Sequence, residues 1–117
     1  MSVVYFFLFI FFNLVVIVGA IPLAMRKVRP NPTYGIQSKA IRSDEKLWYA
    51  ANAAAGRTLI MGGIISLLLT VVFFFQRNMT DDYFLNAGAI VFMMSMLVVL
   101  LVTVIRVRRI KKRMGIQ

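Results

Sequence analysis

Three long apolar runs are the feature that most restricts how this chain can fold. They occupy approximately residues 3–25, 57–76 and 84–105, and no Asp, Glu, Lys or Arg lies well inside any of them. A helix of about 20 residues crosses the roughly 30 Å hydrocarbon core of a bilayer. Because backbone polar groups in lipid must be bonded within the segment, such runs form helices. The sequence therefore predicts an all-α membrane protein, residues 1–117, in which three transmembrane helices form a single domain.

The first run has a second interpretation, as a cleavable signal peptide, since residues 18–20 form an acceptable cleavage motif. Signal peptides carry positive charge before the apolar run. Here the first two residues carry no basic side chain, and Arg26 and Lys27 follow the run instead. This order of charges favours a retained span.

The composition excludes several classes of function. The chain contains no Cys and no His, which removes disulfides, thiolate nucleophiles, most zinc sites and imidazole acid–base catalysis. The sequence also has no nucleophile–base pair and no phosphate-binding loop. Without a charged residue inside a span, transport by this chain alone is not expected either. We therefore expect no enzyme activity, no cofactor and no metal.

Two pairs of adjacent carboxylates have ordinary explanations. Asp44 and Glu45 follow Ser43 at the start of a predicted helix, where the Ser hydroxyl caps unpaired N–H groups and the helix dipole favours anions. Asp81 and Asp82 lie in the short turn between the second and third spans, and two carboxylates are too few to specify a calcium site. We interpret the first pair as helix capping and the second as part of a solvated turn.

The positive charges predict the orientation in the membrane. Of the fourteen Lys and Arg residues, seven lie in residues 26–57, one in the turn between the second and third spans, and six in the tail 106–117. Short cytoplasmic loops carry the excess of Lys and Arg in membrane proteins. The first loop and the tail fall on the same side of a three-span chain, so the two counts agree. We expect the N-terminus outside, and the loop 26–56 and the C-terminal tail in the cytoplasm.

Polar and small residues within the spans predict helix packing. An Asn in a span, such as Asn13, more often hydrogen-bonds across helices, for about 1 kcal/mol, than contacts a transported solute. Gly62, Ser66 and Thr70 recur every four residues and form a small, weakly polar stripe that lets another helix approach closely. Because three spans bury little surface between them, we expect this stripe to favour a homo-oligomer or a membrane protein partner.

The chain closes with a basic tail that begins directly at the end of the third span. Such clusters bind anionic lipid head groups, at roughly 1 kcal/mol for each charge near the surface. A protein or nucleic-acid partner is the alternative for a run of this kind. Its position favours lipid and topology, and we expect no nucleic-acid binding. The charged residues are Arg106, Arg108, Arg109, Lys111, Lys112 and Arg113.

The loop between the first two spans combines a turn with the start of a helix. Pro30 and Pro32 prevent a continued helix, and Gly35 permits the positive φ of a tight turn. We expect an interfacial helix to begin at Ser43 and either to turn into the second span or to run straight into it.

One face of that predicted helix is suited to receiving the turn. Tyr49, Asn52 and Gly56 share a helical face, and Trp48 lies four residues before Asn52. An aromatic belt at the level of the head groups is the alternative interpretation of the aromatic residues. An Asn and a Gly among aromatics instead favour a surface on which another backbone docks. The turn at residues 31–35 is the natural candidate.

This loop resembles the SdpI family of small bacterial membrane proteins, whose prototype is the immunity protein for a sporulation-delay killing peptide. The family pattern is Pro-Asn-x-x-Tyr-Gly-(Ile/Phe)-Arg-Thr, then a Trp, an Asn or His four residues later, and a Gly four beyond that. Gln37 stands where the family has Arg, and Ser38 where it has Thr, so the resemblance does not extend to an anion contact made by that Arg. The chain looks like a stand-alone copy of the family's C-terminal unit. The matching residues are Pro30, Asn31, Tyr34, Gly35, Ile36, Trp48, Asn52 and Gly56.

The resemblance implies a receptor-like function in the bacterial cytoplasmic membrane. The family prototype confers resistance to an extracellular toxic peptide and, when the peptide is present, holds a transcriptional repressor at the membrane. The matching residues other than Pro30 are then candidates for binding a toxic peptide or a cytoplasmic regulator. The alternative is a structural or accessory subunit of a larger membrane complex, which the small, chemically quiet chain and its small-residue stripe fit equally well.

Overall fold

The structure is a computed structural model that describes residues 2–75 and 81–115. In these residues it contains four helices and no β-strand: α1 (Ser2–Ala24), α2 (Lys39–Arg42), α3 (Glu45–Phe74) and α4 (Asp81–Arg113). The helices α1, α3 and α4 are long and apolar enough to cross a membrane. This confirms the prediction of an all-α membrane protein with three transmembrane helices. Most of the predicted turn after the second span, residues 76–80, lies outside the described residues.

Helices α3 and α4 both extend well past the predicted spans. They contain 30 and 33 residues, which correspond to about 45 and 50 Å of helix against a hydrocarbon core of about 30 Å. The predicted loop helix and the second span form one continuous helix, and the basic tail is the last part of α4. Both extensions lie at the same end of the molecule, since Arg106 of α4 donates a hydrogen bond to the Thr58 hydroxyl of α3 at 3.1 Å.

The start of α3 differs by one residue from the predicted cap. Asp44 is the N-cap residue, and its Oδ1 accepts a hydrogen bond from the Leu47 N–H at 3.0 Å. The Ser43 hydroxyl instead donates to the Ala40 carbonyl at 3.3 Å, because Ser43 ends the short helix α2. The prediction of Ser43 as the cap was therefore wrong. A carboxylate at this position also offsets the positive end of the helix dipole.

The end of α1 turns the chain back over the helix ends. Arg26 has a φ of 59°, the left-handed conformation that terminates a helix. The Lys27 N–H donates to the Pro22 carbonyl at 3.0 Å, and the Arg26 N–H donates to the Leu23 carbonyl at 3.1 Å. These two bonds form a Schellman motif, which satisfies the last carbonyls of α1.

Helix α3 packs between α1 and α4, which contact each other much less. Gly56 allows the close approach to α1, since an added Cβ would lie 2.6 Å from the Ala24 backbone nitrogen and 2.8 Å from the Ala20 carbonyl oxygen. Gly62 faces α4, where an added Cβ would overlap a methyl group of Val99. Glycines on two faces of α3 therefore position both of its neighbours.

The small-residue stripe of α3 is covered from within the chain. Ser66 and Thr70 are 0% and 3% exposed, and Gly62 packs on Val99. The Thr70 hydroxyl donates to the Ser66 carbonyl at 2.9 Å. At Ser66 and Thr70 the stripe is therefore not an exposed surface for a second copy or a partner, whereas Gly62 is half-buried. Assembly with another chain stays a prediction.

Asn13 is fully buried but bonds within its own helix. Its Nδ2 donates to the Phe9 carbonyl at 2.8 Å, so the expected hydrogen bond across helices is not the one that forms. Its Oδ1, like the Ser66 hydroxyl on α3, is buried without a hydrogen-bond partner in the part of the chain that the structure describes. A polar atom buried in this way lowers stability.

At the end opposite to Thr58 and Arg106, phenylalanines from all three long helices pack together. The rings of Phe6 and Phe74 stack with centroids 4.1 Å apart. Phe84 contacts Phe9 and Phe74 edge to face, each at 6.0 Å. Aromatic pairs contribute about 0.5–1.5 kcal/mol beyond the burial of their area, so this cluster stabilises the packing of the three helices at that end.

Candidate functional site

The loop residues that the sequence singled out fold onto the first turns of α3. We call residues 25–56 the cap. The cap packs on the end of α4, and together they form a core in which every residue is at most 8% exposed. We call this core, with its residue from α4, the core of the cap. The contribution of α4 means that the basic end of the chain is part of the same folded unit. The core residues are Ile41, Leu47, Trp48, Ala51 and Val107.

Asn31 shapes the turn that precedes Tyr34. Its Oδ1 accepts from the Thr33 N–H at 3.0 Å and from the Tyr34 N–H at 2.6 Å. Its Nδ2 donates to the Arg29 carbonyl at 2.7 Å. Asn side chains that bond the backbone two or three residues on replace the bonds of a backbone turn. The Asn31 amide thus holds the loop in the conformation that presents Tyr34.

Asn52 joins the turn to α3. Its Oδ1 accepts from the Ile36 N–H at 2.7 Å, and its Nδ2 donates to the Trp48 carbonyl at 2.9 Å. Gly35 lies directly against it, with a φ of 107° that L residues rarely adopt. An added Cβ would lie 2.7 Å from Asn52 Oδ1. Both the backbone conformation and the available space therefore require Gly at this position.

Trp48 fixes the first part of the loop. Its Nε1 donates to the Val28 carbonyl at 2.8 Å, and its ring is 0% exposed. Residues of an aromatic belt present their rings to lipid head groups. A fully buried ring cannot do so, and the belt interpretation does not hold for Trp48.

Gly56, the last residue of the motif, lies at the crossing of α3 with α1 rather than on the surface of the cap. The motif thus supplies a turn, two side chains that bond the loop, and one close helix contact. Each of these roles is structural. A role of the same residues in binding stays a prediction.

An open groove runs between the turn and α4. It has a volume of about 420 Å³; residues 34–36 and Asn52 line one side, and Met96, Leu100 and Thr103 of α4 line the other. Tyr34 is 38% exposed. The lining is mostly apolar and suits a hydrocarbon chain or an apolar side chain. No group of three or more His, Cys, Asp or Glu that could hold a metal occurs among the described residues.

Gln37 lies at the surface of the cap. Its Nε2 donates to the Gly35 carbonyl and its Oε1 accepts from Arg42 Nη1, both at 3.4 Å. These long bonds between exposed groups connect the turn to α2. Gln37 stands where the family pattern has Arg, and Arg42 supplies a positive charge next to it.

The basic residues of α4 divide between two faces. Val107 and Ile110 contact the core of the cap, and Arg106 is half-buried with its guanidinium against Thr58. Arg106 is therefore partly a helix contact and not only the lipid-facing residue that the sequence predicted. Sequence reasoning missed Val107, although apolar residues three apart in a basic run are a helical signal.

One family model describes this part of the molecule. The model of the SdpI/YfhL protein family matches residues 27–107. The match begins in the first turn of the cap, at Lys27, and ends at Val107, the residue by which α4 enters the core of the cap. Neither the curated proteins nor the solved structures include one that is similar enough to match the chain.

Proposed function

Because this chain belongs to the SdpI/YfhL protein family, we propose that it is an immunity-type membrane protein of the bacterial cytoplasmic membrane. In this proposal it binds a toxic peptide at one end and a regulator at the other. The observation that carries the proposal is the extent of the family match. The matched segment, residues 27–107, contains the whole cap core, all of α3 and the part of α4 up to Val107.

The charges support a cytoplasmic position for the cap. Thirteen of the fourteen Lys and Arg residues lie in residues 26–57 and 106–113, and these two segments are at the same end of the molecule. Positive charge concentrates on the cytoplasmic side of membrane proteins. The opposite end, with its phenylalanine cluster, would then face outside.

We assign the regulator to the cap. Tyr34 is exposed on the turn that the Asn31 side chain bonds, and it lines one side of the apolar groove. A rigid aromatic side chain next to a groove is a common anchor for a protein partner. The residues that bond the loop internally would act by holding Tyr34 in place.

We assign the peptide to the opposite end. Phe7 and Phe75 are 66% and 72% exposed there, next to the half-buried Phe6–Phe74 pair. Helix α3 runs without a break from the cap to this end. A peptide that binds one arrangement of the helices more tightly than another would therefore also change the cap.

Survival of a toxin-sensitive bacterium that expresses the chain tests the proposal. Expression is expected to raise survival in the presence of the toxic peptide, and Phe75→Ala is expected to reduce this protection. Met61→Ala is the matched control, since Met61 is also exposed, at 57%, but lies in the middle of α3. The proposal would be contradicted if the protein were present in the membrane but expression protected the cells from none of the candidate peptides.

In-cell crosslinking followed by purification in mild detergent separates this function from an accessory role. Capture of a cytoplasmic regulator only after the peptide is added supports the receptor. Tyr34→Ala should abolish that capture without reducing membrane insertion. Membrane subunits that co-purify in fixed stoichiometry, with or without peptide, would instead indicate an accessory subunit.

A further inference from the structure

Four arginines from two helices converge at one side of the molecule, where α3 and α4 leave their apolar segments. They line an open pocket of about 220 Å³. Among the residues that the structure describes, none of those that line the pocket is acidic. Asp44 and Glu45 begin α3 about 18 Å further along the helix from Arg57. The residues that line the pocket are Ala54, Arg57, Arg106, Arg109, Ile110 and Arg113.

The arrangement of the arginines is built by the fold. Arg106, Arg109 and Arg113 are spaced at i, i+3 and i+7, which places them on one face of α4. Arg106 is half-buried, and its guanidinium is directed by the hydrogen bond to Thr58, the neighbour of Arg57. Four positive charges held together without a carboxylate repel one another, and a bound anion would relieve this repulsion.

The chemistry and the position of the pocket indicate phosphate. Guanidinium groups bind phosphate through two parallel N–H bonds. Arg57 and Arg106 are the last charged residues before the uncharged stretches of α3 and α4 begin, which is the level at which the phosphates of a bilayer lie. Ala54 and Ile110 add apolar contacts beside the four charges.

We propose that this pocket binds the phosphate of an anionic phospholipid head group and that the lipid bridges α3 and α4. The inference goes beyond the proposed function, because it requires neither a peptide nor a regulator. It also divides the basic tail, since Arg109 and Arg113 line the pocket whereas Arg108 and Lys112, which are equally exposed, do not.

Binding of phosphatidylglycerol to the purified chain in a non-ionic detergent tests the proposal, with native mass spectrometry to count bound lipids. The wild-type chain should bind one phosphatidylglycerol saturably, and phosphatidylcholine much more weakly. Replacing Arg57 and Arg109 together with Gln should weaken binding about 30-fold, at about 1 kcal/mol for each charge. The control replaces Arg108 and Lys112 with Gln, which removes the same charge from exposed positions outside the pocket, and should bind like the wild type.

Equal weakening in the two double variants would mean diffuse attraction by surface charge and would overturn the proposal. Inorganic phosphate that binds as tightly as the lipid and displaces it would show a site for free phosphate, and would overturn the lipid as its ligand. Circular dichroism and Trp48 emission report whether each variant is folded. If the double variant does not fold, Arg57→Gln alone, compared with Arg108→Gln, should still weaken binding about 5-fold.

Discussion

Replacing Gly35 with Ala is expected to open the cap. The φ of Gly35, 107°, is strained for an L residue at about 1–3 kcal/mol. The new Cβ would lie 2.7 Å from Asn52 Oδ1 and 3.1 Å from two carbons of the Trp48 ring. If the Asn52 amide moves away, the half-buried Ile36 N–H loses its acceptor, which costs about 1 kcal/mol, the lower end of the range for a buried group. The substitution should therefore destabilise the closed cap by about 2–4 kcal/mol.

The single tryptophan makes this opening measurable. Trp48 is the only Trp in the chain and is fully buried in the cap. When the cap opens, its emission should shift to longer wavelength and acrylamide should quench it. In detergent, Gly35→Ala should show both changes at temperatures where far-UV circular dichroism still reports full helix content. The long helices should persist because none of their contacts with one another depends on Gly35.

Two other glycines provide the controls. Gly115 has a φ of 72° but nothing within 4 Å of an added Cβ, so Gly115→Ala introduces strain without a clash. Gly19 lies in a helix with open space around an added Cβ, and Gly19→Ala should leave the opening of the cap unchanged. The reasoning would be refuted if the free energy of cap opening in Gly35→Ala differed from the wild-type value by no more than about 0.5 kcal/mol, which is the range of an ordinary surface substitution.

Three further predictions concern the bundle and the start of α3. Gly56→Ala should weaken the contact of α1 with α3 by about 1–3 kcal/mol because it meets backbone, and Gly62→Ala should cost less because the side chain it meets can rotate. Thermal unfolding in detergent ranks the two, and equal losses would contradict this explanation. Asn13→Leu should leave the unfolding temperature unchanged or raise it, since it removes a buried oxygen without a partner; a loss above about 2 kcal/mol would argue against this. Asp44→Ala should lower the stability of the cap by about 1 kcal/mol, and Ser43→Ala should not. Tryptophan emission measures both, and the reverse order would identify Ser43 as the N-cap residue of α3.

The number and type of the membrane helices could be predicted because lipid leaves few alternatives. An uncharged run of about 20 residues has no way to satisfy its backbone in a bilayer except as a helix. The start of α3 and the end of α4 lie in polar sequence, where this constraint no longer acts. The Ala-rich stretch before Gly56 and the basic tail are both good helix formers without Pro, so each helix continues past the predicted span.

Within the cap, the sequence could indicate which surfaces meet but not which atoms bond. The helical spacing put Asn52 and Trp48 near the expected turn, and the structure adds the bonds to Ile36 and Val28. Asn13 shows the limit of such reasoning, because the carbonyl four residues earlier in its own helix is always within reach. Val107 was missed because basic neighbours on both sides conceal its apolar contact.

The bonds of the cap explain why the motif contains these residue types. Residues 25–44 leave the bundle where two prolines prevent a regular helix, so backbone groups there need other partners. Asn31, Trp48 and Asn52 supply them through their side chains, and an apolar residue at any of these positions would leave a backbone group unpaired. Substitutions at Trp48 or Asn52 therefore test folding first. Within the described part of the chain, the Tyr34 side chain makes no such bond, and a variant at this position is the better test of binding.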